Sequence, residues 1–152
     1  MAPEMERTEL LAREAIRDLL ARYTWSGDRG RSHDLAHCFL PDGVLDVGEH
    51  GGRWEGRSRI EAELDAIAQR VAASGDAPTP VNHHLSSTMI SLSDPTSGWV
   101  NSYFCVFTAS GADHWGRYRD RVALDPTDGH WRFEERIVLV TGVAEGSRFV
   151  TR

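Results

Sequence analysis

Residues 98–142 read GWVNSYFCVFTASGADHWGRYRDRVALDPTDGHWRFEERIVLVTG, and this stretch decides the fold. Large apolar side chains alternate with polar ones through it, at the period of two that a half-buried strand needs. Two clusters interrupt it, Ser110-Gly111-Ala112 and Asp125-Pro126-Thr127-Asp128-Gly129, and both are turns by composition. The pattern extends backwards past Asp94-Pro95-Thr96-Ser97 to about residue 82. Four strands are therefore expected, near 82–93, 98–108, 114–124 and 130–142. Strands this long, joined this briefly, pair as antiparallel neighbours.

Upstream the period changes. Residues 6–27 read as an amphipathic helix, with Leu11, Ala15, Leu19 and Tyr23 at helical spacing and Leu10, Ile16 and Leu20 widening the stripe. Ser32 suits the cap of a short helix running to about residue 39, and Pro41-Asp42-Gly43 reads as a turn. Short strands are expected at 44–47 and 53–55, joined by a hairpin at Gly51-Gly52. Ser58 and Glu61 have the spacing of a capping box, opening a helix with Ile60, Leu64, Ile67 and Val71 on one face and an end near Ser74-Gly75. The expected class is α+β, with N-terminal helices packed on a strongly bent, mostly antiparallel sheet around one pocket. One domain spans 1–152, with an ordered core of about 6–143 and a loose tail at 144–152.

Composition narrows the function. The chain has 152 residues, 40% apolar and 26% charged, which suits one globular domain. Net charge is −6 and the arginines are scattered, which argues against a nucleic-acid groove and against an anionic membrane surface. No run approaches the roughly 18 apolar residues of a membrane span, and the first ten residues lack a signal-peptide core. With only Cys38 and Cys105, a reduced, cytoplasmic protein is expected. The glycine spacings fit no phosphate loop, so no cofactor is expected.

Asp28 follows the first helix, five residues after Tyr23. By parity with Ile90 and Leu92, His84 faces inward and His83 outward. A carboxylate reaching an inward imidazole holds its tautomer and makes a competent general acid or base. Tyr23 and Tyr118 could hydrogen-bond a substrate oxygen, and Trp25 could wall the pocket. His33 and His37 stand four apart, a spacing that suits a metal, but no Glu lies between them in the HExxH sense and no metal is expected. Met89, opposite in parity to Ile90, and the sheet aromatics suggest a second apolar face and hence a homodimer.

Several stretches assemble in order: residues 16–39, Pro41-Asp42-Gly43, Trp54-Glu55-Gly56-Arg57, Asn82-His83-His84-Leu85-Ser86-Ser87, Gly116-Arg117-Tyr118-Arg119-Asp120 and Gly129-His130-Trp131-Arg132-Phe133. On these the sequence resembles the SnoaL-like group of the nuclear transport factor 2-like superfamily. That group includes scytalone dehydratase, bile-acid dehydratases, steroid isomerases and polyketide cyclases. The resemblance implies a cone of helices on a bent sheet around a deep pocket, commonly a homodimer. It implies Tyr23, Asp28 and His84 as catalytic, with His83 competing for the last role, and Arg136 as a substrate-binding candidate. Scytalone dehydratase has a second pocket histidine on a later strand, where this sequence offers Tyr118 or Asp120. The epoxide hydrolases of this fold hold a water with an Asp–Arg–Asp set, for which Asp120 and Arg119 are not evidently arranged. The resulting expectation is a cofactor-independent lyase or isomerase acting on a small cyclic or polyketide-like molecule. The alternative is a non-catalytic dimeric module that binds a small hydrophobic ligand.

Overall fold

The computed structural model describes residues 6–75, 79–147 and 149. Helix α1 (Arg7–Asp28), the short α2 (Ser32–Ala36) and α3 (Arg57–Ala73) pack on a six-stranded, curled, open sheet. Its strands are β1 (Phe39–Asp46), β2 (Arg53–Glu55), β3 (Asn82–Asp94), β4 (Ser97–Thr108), β5 (Gly111–Leu124) and β6 (Trp131–Val143), in the order β2-β1-β6-β5-β4-β3. Every pairing is antiparallel except β1 with β6. Among the described residues no helix is long and apolar enough to cross a membrane.

Helix α1 lays Ala12, Ile16, Leu19 and Leu20 on the sheet, where they meet Ile90, Val100, Val122 and Phe133. Ile16 and Leu19 are fully buried, each contributing about 1.5–3 kcal/mol of transfer free energy. Leu10 and Leu11, placed on the apolar stripe by spacing, are instead exposed. The buried stripe runs from Ala12 through Ile16 and Leu19 to Tyr23, so the first turn of α1 overhangs the core.

Three local expectations are corrected. Ser58 does not cap α3: the helix begins at Arg57 after Gly56, whose φ of 87° suits glycine, and no side chain among the described residues caps it. The second helix stops at Ala36, because Phe39 is drawn into β1 beside Phe133 of β6. Pro41-Asp42-Gly43 is no free turn but an irregularity inside β1, where the register with β6 shifts between Phe39 and Val44. Of the expected tail, residues 144–147 and 149 are described, and Ser147 Oγ donates to Asp113 Oδ2 at 2.7 Å.

Bulges bend the sheet. The extra residues lie between Ser86 and Met89 on β3, between Ala112 and His114 on β5, and between Phe133 and Glu135 and between Val140 and Gly142 on β6. The inner face of the resulting curl carries Val100, Ser102, Phe104 and Val106 of β4, and Gly116, Tyr118, Asp120 and Val122 of β5.

Candidate active site

The bulge on β3 decides which histidine faces the helices. Ser86 pairs with Tyr103 and Met89 with Asn101, so β3 spends three residues where β4 spends two. Ser87 absorbs the extra residue with a φ of 50°. Parity therefore inverts across it. Counting back from Ile90 puts His84 inside, but the true inner residues before the bulge are Leu85 and His83. His84 lies exposed on the outer face, its ring 4.9 Å from that of Phe107. The expected contact of Asp28 with His84 is therefore replaced by one with His83.

Asp28 closes α1 and reaches β3. His83 Nδ1 donates to Asp28 Oδ1 at 2.5 Å, and the His83 backbone N–H donates to Oδ2 at 3.0 Å. One residue thus holds both carboxylate oxygens, which fixes the imidazole and leaves Nε2 with its lone pair. The pair stands between two cavities. His83 lines one of about 300 Å³ with Leu20, Thr24, Trp25 and Leu85. Asp28 lines one of about 440 Å³ whose walls include Leu35, Leu64, Ile67, Val71 and Val81. Trp25 forms a rim, half exposed, with the Arg29 guanidinium 4.2 Å over its ring.

A second carboxylate–imidazole pair lies across the sheet. His83 pairs with Val106, and Val106 with His114, so the three stand in one row on β3, β4 and β5. Val106 is buried on the inner face, and His114 lies close to Phe104 on that face. Two strand spacings put the histidine backbones about 10 Å apart. His114 Nδ1 donates to Asp113 Oδ2 at 2.7 Å. This is the inward histidine on a later strand that the sequence reading did not find. Its parity with Tyr118 and Asp120 was the available signal.

Tyr23, Tyr118, Asp120 and Arg136 meet deeper in the curl. Asp120 and Arg136 face each other across β5 and β6, both fully buried, through Nε to Oδ1 at 2.8 Å and Nη2 to Oδ2 at 2.7 Å. The guanidinium carbon lies 4.2 Å from the ring centre of Tyr23, 4.0 Å from Tyr118 and 4.2 Å from Phe133. Among the described residues Nη1 meets no hydrogen-bond acceptor in bonding geometry. Burial pushes the Asp120 carboxyl up, against the opposing pull of Arg136. Burial works to lower the Arg136 guanidinium, but the Asp120 charge, its hydrogen bonds and the neighbouring Tyr23 and Tyr118 together outweigh it, and the net shift is upward. Burial, then the neighbouring Tyr23, raises the Tyr118 hydroxyl, and Asp28 adds to the rise. Burial likewise raises Tyr23 and pushes the Cys38 thiol up to about 11. Asp120 is thus committed to Arg136, which lies 16 residues along the chain, and not to Arg119.

The model of the SnoaL-like domain family matches residues 8–137. The chain belongs to the SnoaL-like domain family. This SnoaL-like chain resembles several solved structures at the level of the fold. One is a candidate scytalone dehydratase from Novosphingobium aromaticivorans, 23% identical over 93% of this chain and 91% of that one, with a TM-score of 0.76. Another, from Catenulispora acidiphila, was solved in complex with S-DNPA. It is 21% identical over 86% of this chain and 94% of that one, with a TM-score of 0.72. A third, ActVI-ORFA from Streptomyces coelicolor, is 18% identical over 88% and 97%, with a TM-score of 0.71. A search of curated protein sequences gave no match.

Proposed function

We propose that this SnoaL-like protein is a lyase or isomerase of the dehydratase or cyclase kind, acting on a small cyclic or polyketide-like molecule. The observation that carries the reading is the 2.5 Å bond from His83 Nδ1 to Asp28 Oδ1, which leaves Nε2 as a base beside an apolar cavity. In the proposed step, Nε2 takes a proton from the carbon next to a carbonyl, and the C–H electrons pass into an enolate. Tyr23 and Tyr118, both kept protonated by burial, are the hydroxyls assigned to that oxyanion. In an elimination the C–O bond then breaks, and the departing oxygen takes a proton as water leaves. In an isomerisation a second carbon takes it instead. His114, held by Asp113 in the same row of the sheet, is the second proton carrier in this scheme.

The neighbour solved in complex with S-DNPA supports a small ligand for this fold. A homodimer through the outer sheet face and a cytoplasmic location belong to the same proposal.

The test follows α-proton exchange of cyclic ketones in D₂O by NMR, which requires no leaving group. Asp28→Asn and His83→Ala are expected to slow exchange by about 10²–10⁴-fold, and His84→Ala to leave it within a few-fold. A His83→Ala protein with undiminished exchange would overturn the assignment. A second reading, binding without turnover, draws on the filling of the deep curl by Tyr23, Tyr118, Asp120 and Arg136. Saturable ketone binding with no exchange in the unaltered protein would favour it.

A further inference from the structure

The geometry points to a divalent-cation site between α2 and α3, built from His33, His37 and Glu61 and separate from the Asp28–His83 pair. We propose that these three side chains bind one zinc-like d-block cation and clip the two helices together. A nitrogen from each imidazole and a carboxylate oxygen of Glu61 all lie within 4.8 Å of one another. Zinc holds nitrogen and oxygen donors at about 2.0–2.2 Å, which spaces tetrahedral donors roughly 3.4 Å apart. The three side chains are exposed or half-buried, so rotations at their tips close that gap without moving a backbone.

Two contacts arrange the donors. His37 Nδ1 donates to the His33 carbonyl at 2.9 Å, which fixes the tautomer and leaves Nε2 as the lone-pair nitrogen. Histidines that ligate metals are oriented in this way, with the other ring nitrogen donating to a backbone oxygen. His33 Nδ1 already touches Glu61 Oε1 at 3.1 Å, and the two imidazole rings stand 4.0 Å apart. A simple His33–Glu61 ion pair accounts for the first of these contacts but not for the placement of His37. Two imidazoles and one carboxylate form a donor set suited to zinc, with a coordination position left for water. Spacing alone missed the third donor because Glu61 arrives from α3, 24 residues beyond His37, and not from between the histidines.

The experiment titrates ZnCl₂ into untagged, chelator-treated protein by calorimetry, with Co²⁺ absorption as the spectroscopic probe. One saturable equivalent is expected, with visible Co²⁺ bands and a rise in Tm on adding Zn²⁺. His37→Ala and Glu61→Gln are expected to weaken binding by more than about tenfold and to abolish the Tm rise. His84→Ala, at an exposed histidine on the outer face of β3, should change neither. All variants are checked for native circular dichroism, so a folding failure is a separate, visible outcome. No saturable binding by the unaltered protein, or equal binding by folded His37→Ala and Glu61→Gln variants, would overturn the proposal.

Discussion

The buried Asp120–Arg136 pair is costly to disturb by halves. Both side chains are wholly shut from water, and three aromatic rings surround the guanidinium. Removing one charge strands the other in an apolar surround, at about 3–5 kcal/mol. Asp120→Asn is therefore expected to lower unfolding stability by that amount in urea titrations. The double variant Asp120→Leu/Arg136→Met should recover most of the loss, since replacing a whole buried pair by apolar groups is often neutral. A double variant no more stable than the single one would mean the pair itself holds the curl in shape. These residues were legible in part. The alternation of β5 puts Tyr118 and Asp120 on one face, and the resemblance flagged Tyr23 and Arg136. Their meeting depends on the β5–β6 register, which places Asp120 opposite Arg136 and which no local pattern encodes.

At the scale of elements, the sheet owes its shape to bulges, and each bulge makes a local demand. Ser87 holds a φ of 50°, a region that glycine occupies without the Cβ penalty of roughly 1–2 kcal/mol. Ser87→Gly removes that strain but adds backbone entropy to the unfolded chain. A net gain of about 0.5 kcal/mol is expected by thermal or chemical unfolding. Gly116 is the opposite case. A Cβ there would run into the Leu139 carbonyl of the paired strand, so Gly116→Ala should destabilise by about 2 kcal/mol or more. If Gly116→Ala unfolds at the native midpoint, the β6 bulge opposite Gly116 is softer than its geometry implies. Element type and order were readable from periodicity, because alternation over 10 or more residues is a strong signal. The bulge on β3 was not. Ser86-Ser87-Thr88 carries no Gly, Pro or Asn to mark it, and one uncounted residue exchanges the two faces of a strand. That single slip moved the inward role from His83 to His84.

The whole molecule presents two unlike faces of one sheet. The inner face is covered by α1 and holds both histidine pairs. The outer face carries Met89, Trp99, Tyr103, Phe107 and Trp115 on three adjacent strands, and Met89 and Tyr103 are 61% and 59% exposed. Such a cluster approaches the few hundred Å² that monomers tolerate as their largest patch. A self-complementary pairing of two such faces would reach the roughly 1,000 Å² of a stable contact. The unaltered protein is accordingly expected to sediment as a dimer at micromolar concentration. Tyr103→Glu, which sets a charge at the centre of the patch without touching the core, should give a folded monomer with Tm little changed. A monomeric unaltered protein would refute the pairing. The same variant also separates association from chemistry. Tyr103 points away from His83 and His114, so the monomer should keep its proton-exchange activity within a few-fold. If the folded monomer instead loses exchange, the second copy must shape the cavity from outside, through the strands that carry the two histidines.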